Sequence, residues 1–146
     1  MVPEDSSALF AIYGDPEVMQ YASDDPFPNE ATVAVMLQSV ADLLASGESL
    51  EWAIAEQATD RLIGTCGLHS FDETTCSAEV GCMLARTAWS HGYMQEALGA
   101  LFCYAVEKLG IVLLYADIDT PNQASLRLFT RLGFVQAGET RYLRRF

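Results

Sequence analysis

Positive charge is the scarcest property of this sequence. Eight lysines and arginines stand against twenty aspartates and glutamates, a formal net charge of −12. No basic residue precedes Arg61, yet twelve carboxylates do: Glu4, Asp5, Asp15, Glu17, Asp24, Asp25, Glu30, Asp42, Glu48, Glu51, Glu56 and Asp60. Beyond residue 60 the two signs balance at eight each. A chain without a basic footprint is unsuited to sequence-independent binding of nucleic acid, and equally to an anionic membrane surface. A cationic, amine-bearing partner is the natural expectation instead.

Other absences narrow the field further. No apolar run approaches the ~18 residues of a membrane-spanning helix. The start, Met1-Val2-Pro3-Glu4-Asp5, lacks the cationic then apolar pattern of a secretory leader, so none is expected. Cysteines at 66, 76, 82 and 103 form no C-x-x-C pair, and His69 and His91 are scattered. No metal is therefore expected. Free thiols in apolar strand-like runs behave as small hydrophobes and suit a reducing, cytoplasmic setting.

What is present is enough apolar material for a core. At 146 residues and 51% hydrophobic content, the chain reads as a single domain, 1–146, that needs no disulfide. Ser6 and Ser7 suit the cap of a short helix reaching about Asp15. An irregular loop follows at residues 22–29. From Asn29, Val33, Met36, Leu37, Val40, Leu43 and Leu44 recur at helical spacing until Gly47. Three strand-like runs come next: Leu50, Trp52 and Ile54 alternating with Glu51, Ala53 and Ala55; then 62–70; then 76–84. Leu98, Leu101, Phe102, Ala105 and Leu109 mark another helix, closed by Gly110. A strand at 113–119, a helix opened by Pro121 and stopped by Gly133, and an extended run from Phe134 to Leu143 complete the chain. The layout is α+β, a mixed, mostly antiparallel sheet flanked by helices.

One segment stands out chemically. In Arg86–Ala97 a strand ends, Gly92 makes a turn, and a helix begins near Met94 or Gln95. Unpaired amides at such a helix start suit a phosphate or pyrophosphate, and equally the turn is an ordinary strand-to-helix connection.

The wider pattern is more specific. A-E-V-G-C-M-L (78–84) followed by W-S-H-G-Y-M-Q-E-A (89–97) resembles the coenzyme A-binding segment of the GNAT superfamily of N-acetyltransferases, and most of all its ribosomal-protein-alanine acetyltransferase branch. N-Q-A-S (122–125) with L-G-F (132–134), D-P-E-V-M-Q-Y (15–21) and L-I-G-T-C-G-L (62–68) fit the same family in the same order. The resemblance implies a splayed sheet with acetyl-CoA between the strand at 77–84 and the strand at 113–119. Its pantetheine would pair with backbone at Met83, Leu84 and Ala85, and its pyrophosphate would sit on amides of His91, Gly92, Tyr93, Met94 and Gln95. A primary amine, of a protein N-terminus or a small molecule, would attack the thioester directly. Glu79 occupies the family's glutamate position and is either the base, through water, or a strand glutamate facing solvent or paired with an arginine. Asn122 contacts the cofactor, caps a helix, or does both.

Departures from the family are equally plain. Met94 stands where Gly or Ala is usual, and His91 where Lys is frequent. Phe129 replaces the tyrosine that many members use to protonate the thiolate, leaving water or Ser125 for that role. The family's first strand and its last, inserted strand have no counterpart in the run of elements. A fragment, a neighbouring subunit in a homodimer, or residues 135–146 would then account for the sheet. These departures keep a second function open, a non-catalytic acyl-CoA-binding or interaction module. A third is an acetyltransferase of antibiotics or polyamines, which the acidic first part suits. On the family layout that acidic part borders the acceptor side, and the charge-balanced remainder holds the cofactor.

Overall fold

Helical periodicity decides the first third of the chain. In a computed structural model, which describes residues 1–146, α1 (Ser6–Tyr13) and α2 (Ala31–Ser46) form where their apolar residues recur. The serine caps expected on α1 are not used. The helix is entered from a 3-10 turn at Pro3–Asp5, and Ser7 Oγ instead donates to Glu30 Oε1 at 2.7 Å, tying α1 to the residue before α2. Gly47, at φ 78°, closes α2 in the left-handed conformation.

The strands β1 (Ser49–Ala55), β2 (Leu62–Asp72) and β3 (Ser77–Leu84) make the expected antiparallel meander. Helix α3 (Tyr93–Leu109), strand β4 (Leu113–Asp117) and helix α4 (Gln123–Arg131) follow. Asn122 Oδ1 accepts from the Ser125 amide at 3.2 Å, so α4 starts at Gln123 and Pro121 stays in the turn before it.

The final extended run is two strands rather than one. Strand β5 (Val135–Gln136) ends at a turn in which the amides of Ala137 and Gly138 donate to Arg141 O, and β6 (Arg141–Arg145) returns antiparallel. Sheet order is β1-β2-β3-β4-β6-β5, so β6 lies between β4 and β5. The interior position expected to be vacant is thus filled by residues 141–145, and no neighbouring subunit is needed there. Arg141 fixes the register, with Nε and Nη2 reaching the Asp117 carboxylate opposite it at 2.8 and 2.6 Å.

Helices α3 and α4 cover one face. Leu98, Leu101, Phe102 and Ala105 of α3 and Phe129 of α4 pack on Leu68, Val80, Leu114 and Ala116 of the sheet. Helices α1 and α2 cover part of the other, around a small cluster of Leu9, Ile12, Val33 and Leu62. The sheet is split between its middle strands. β3 and β4, the one parallel pair, run together only from Ser77 to Glu79 and from Leu113 to Tyr115, and Val80–Leu84 have no partner on β4.

Candidate active site

The split leaves a strand edge bare, and one hydrogen bond determines which groups it shows. Ala85 N–H donates to Ile63 O on β2 at 2.8 Å. Antiparallel ladders alternate, so Met83 and Gly81 also turn their backbone groups to β2, while Cys82 and Leu84 turn theirs to the gap. The Leu84 carbonyl is capped by the Trp89 indole Nε1 at 2.8 Å. The amides of Cys82 and Leu84 and the Cys82 carbonyl remain, open to an extended amide chain lying along them as a strand would. This redirects the contact expected at Met83, Leu84 and Ala85. Ala85 has its amide committed to β2, Met83 faces β2 with its side chain in the small cluster, and Leu84 keeps only its N–H.

Just beyond this edge lies the turn into α3. Ser90 and Gly92 both have positive φ, 64° and 86°. A Cβ added to Gly92 would meet nothing within 4 Å, so conformation rather than space calls for glycine here. No side chain caps α3, and the amides of His91, Gly92, Tyr93, Met94 and Gln95 donate to no protein group; Glu96 N is the first to bond, to Gly92 O at 3.1 Å. Such amides carry partial positive charge suited to an anion. Met94 does not crowd the turn, because its side chain is buried in the large core. The His91 ring is exposed, with Nδ1 2.7 Å from Trp89 O, and stacks on Tyr93. Tyr93 OH donates to Glu56 Oε1 at 3.1 Å; Thr59 and Tyr93 together hold the Glu56 carboxyl below the usual carboxylate range.

The α1/α2 face of the sheet carries a row of polar groups beside the gap. Glu79 approaches His69 Nδ1 at 3.7 Å and sits opposite Tyr115, at the closed end where β3 and β4 still pair. Arg141 stacks over the Tyr115 ring at 4.4 Å. Two strands away, the Glu51 carboxylate folds over Gly67, so closely that a Cβ on Gly67 would lie 1.8 Å from Oε2. Thr65, fully buried, bonds to the Tyr13 hydroxyl at 2.7 Å and lies beside the Glu51 carboxylate. Burial pushes the Glu51 carboxyl up to about 7, against a smaller lowering by the Thr65 hydroxyl. Burial, with Glu51 adding to it, also pushes the Tyr13 phenol up.

On the β4 side, Asn122 and Ser125 stand at the start of α4, and the Ser125 hydroxyl bonds to no protein group. Asn122 does cap the helix, through Oδ1 alone. Phe129 is buried against Phe134, with ring centroids 5.0 Å apart. The structure therefore gathers Glu79, Gly92 and the neighbouring amides around one split, with Asn122 and Ser125 on its β4 side. Sequence reasoning missed Cys82, Tyr13, Thr65 and Glu51. The last had a signal: it is the one charged residue of an otherwise neutral strand.

Comparison with known proteins accords with this geometry. Residues 1–135 match the acetyltransferase (GNAT) domain family. The uncharacterised N-acetyltransferase p20 of Bacillus licheniformis is 32% identical over 135 residues, covering 92% of this chain and 76% of the relative. The uncharacterised N-acetyltransferase YoaA of Bacillus subtilis (strain 168) is 29% identical over 138 residues, 94% and 78% of the two chains. Among solved structures, the spermidine N-acetyltransferase of Vibrio cholerae, in complex with CoA and spermine, superposes with a TM-score of 0.82 at 15% identity, covering 99% of this chain and 89% of that one. A GNAT-family acetyltransferase of Bacillus anthracis gives 0.83 at 17% identity, covering 98% and 89%.

Proposed function

From the premise that this chain belongs to the GNAT family and is an acetyltransferase, we propose that it transfers the acetyl group of acetyl-CoA to a primary amine by direct attack. The observation that carries this is the split between β3 and β4, whose bare edge at Cys82 and Leu84 runs into the uncapped turn at Gly92. The residues suit the substrate: edge amides for pantetheine, and amides of His91–Gln95 for pyrophosphate, with Asn122 available through its side-chain amide. No metal is invoked.

The chemistry then needs three things of the chain. A free amide beside the thioester stabilises the oxyanion formed on attack, and Cys82 N–H is placed for it. The ammonium group of the acceptor must lose a proton before it attacks, which calls for a carboxylate on the open face. The departing thiolate takes a proton from water or from the Ser125 hydroxyl, because Phe129 has none to give.

A cationic acceptor fits the acidic face of the sheet, and the V. cholerae neighbour, named as acting on spermidine, supports that class. No helix is long and apolar enough to cross a membrane. All four cysteines are free thiols, in keeping with a reducing cytoplasm. Thiol release from acetyl-CoA, followed with a polyamine, a monoamine and an unblocked peptide, tests the proposal; release with at least one is expected. The buried Phe129 favours one other reading, a non-catalytic acyl-CoA-binding module. Calorimetric CoA binding without thiol release from any amine would establish that module and end the enzymatic proposal.

A further inference from the structure

Two carboxylates lie on the α1/α2 face of the sheet, one at the split and one a strand away from it, and their surroundings differ. Glu79 lies level with Tyr115, the last β4 residue that β3 pairs with, so it marks the closed end. It is also approached by His69 at 3.7 Å, in the neighbourhood of the Arg141–Tyr115 stack. Glu51 lies in the row Glu51–Gly67–Gly81, and Gly81 is the first residue past the closed end whose side-chain position faces this way. Two glycines side by side make that row a trough. The Glu51 carboxylate lies over the first glycine and the His69 ring stands beside the second, its Nε2 3.2 Å from where a Cβ on Gly81 would be. Adjacent strands lie ~4.8 Å apart, so this carboxylate is about one strand spacing from β3. That is the reach of one bound nitrogen or one water.

Glu51 also lacks what a structural carboxylate usually has. No arginine, lysine or histidine pairs with it, although Asp15, Glu17, Glu79 and Asp117 all have such partners. Its polar neighbour is Thr65, itself anchored by Tyr13. The residue is only half-buried, so a ligand can reach it.

We infer that Glu51 receives the acceptor's ammonium group in this trough and removes its proton, with Thr65 and Tyr13 as positioning residues. The inference rests on the amine acceptor proposed above and names its base. The ammonium gives one proton to Glu51, which passes it to solvent. The neutral nitrogen bonds to the thioester carbon from the open face, the carbon–sulfur bond breaks, and the nitrogen's second proton leaves as the amide forms. The thiolate takes up a proton, so amine and acetyl-CoA become amide and CoA thiol with one proton released. Half-burial without a cation leaves Glu51 the more basic of ordinary carboxylates, pushed up to about 7, which suits proton removal near neutrality. The titratable groups on its side of the sheet are few: Tyr13 from α1, His69 on β2 and Glu79 on β3, while the Cys66 and Cys82 thiols point into the core on the other face. Helix α2 has only Asp42, which is exposed and accepts from Gln38. Burial pushes the Cys66 and Cys82 thiols up to about 11 and about 12, so neither competes.

Two measurements on the full chain test this. In the first, spermine is titrated calorimetrically at pH 8 into protein loaded with CoA, which carries no acetyl group to transfer. Glu51→Gln is expected to weaken spermine about tenfold with CoA affinity unchanged, and Glu79→Gln to change it less than threefold. In the second, kcat is followed from pH 5.5 to 9 with acetyl-CoA. The wild type is expected to lose rate below about pH 7, and Glu51→Gln to fall roughly 10²–10³-fold and lose that acidic limb. Glu79→Gln is expected to keep the limb. A Glu51→Gln enzyme that retains limb, rate and spermine affinity overturns the inference and leaves the amine acetyltransferase standing. A wild type that neither binds nor acetylates any amine overturns both.

Discussion

The two faces of this sheet are built to different rules. Against α3 and α4, sixteen buried residues form one apolar cluster in which Phe102, Phe129 and Phe134 interlock. Against α1 and α2, only four residues are buried together, and the rest of that face carries Thr65, Glu51, His69, Glu79 and the Arg141–Tyr115 stack. Apolar area is the main source of stability and does little chemistry. Polar groups half-removed from water stabilise little, yet they acquire the shifted acidities that chemistry requires. One face therefore holds the molecule together, and the other, next to the split, is left free to react.

Matched truncations would break that contrast most directly. Leu98 of α3 and Leu9 of α1 are both fully buried. Leu→Ala in a core costs about 2–5 kcal/mol, and more where the surroundings cannot close over the cavity. Leu98→Ala is expected near the top of that range and Leu9→Ala near the bottom, read as midpoint shifts in urea. Equal losses would mean that the small cluster is as rigid as the large one.

The next effect in size belongs to the turn. Gly92→Val places a β-branched residue at φ 86°, a conformation costing on the order of 1–3 kcal/mol. The amides of His91–Gln95 can escape the strain only by reorienting. CoA affinity is expected to fall about tenfold or more by calorimetry, while the melting temperature drops by a few degrees. Unchanged affinity would place the phosphates elsewhere.

Much of this was legible beforehand, in proportion to how local its cause is. Helices α2 and α3 were visible because their apolar spacing and the glycines after them act within one element. The β5–β6 hairpin was not, since Ala137–Thr140 lacks a two-residue turn signal and β6 is placed by Asp117, twenty-four residues away from Arg141. The turn at Gly92 was found from its motif, whereas the side of β3 that faces the gap depends on the Ala85–Ile63 bond. Glu51 shows the limit most clearly. Alternation put it on the side opposite Leu50, Trp52 and Ile54 and said nothing of what it meets there. The partner that draws it over the sheet, Gly67, is known only once register is known.

A smaller effect should appear in stability against pH. The Glu51 carboxyl stands at about 7 in the folded chain against 4.5 in the unfolded one. Between these values the folded state holds more protons, so this group's contribution to stability is full below about 4.5 and is lost as pH rises through about 7. Glu51→Gln removes the titration. Its melting temperature should rise relative to wild type as pH goes from 5 to 8, whatever becomes of activity. A constant difference across that range would mean that Glu51 is more freely solvated than its place over Gly67 implies.

The smallest effect concerns the twelve carboxylates before Arg61. Several already have company: Asp15 and Glu17 with Arg86 at 3.2 and 2.5 Å, Glu30 with Ser7, and Glu56 with Thr59 and Tyr93. Only Glu51 lies in the trough, so the remainder act on a cation at a distance, through a field that salt screens over about 8–10 Å. Raising salt from about 20 to 200 mM should therefore lower kcat/KM for a polyamine a few-fold while leaving kcat nearly unchanged, because the bound amine and Glu51 are in contact and screened little. The same titration with a neutral-bodied monoamine should be flatter. If both acceptors respond alike, the acidic half of the chain keeps the protein dispersed and takes no part in choosing what it acetylates.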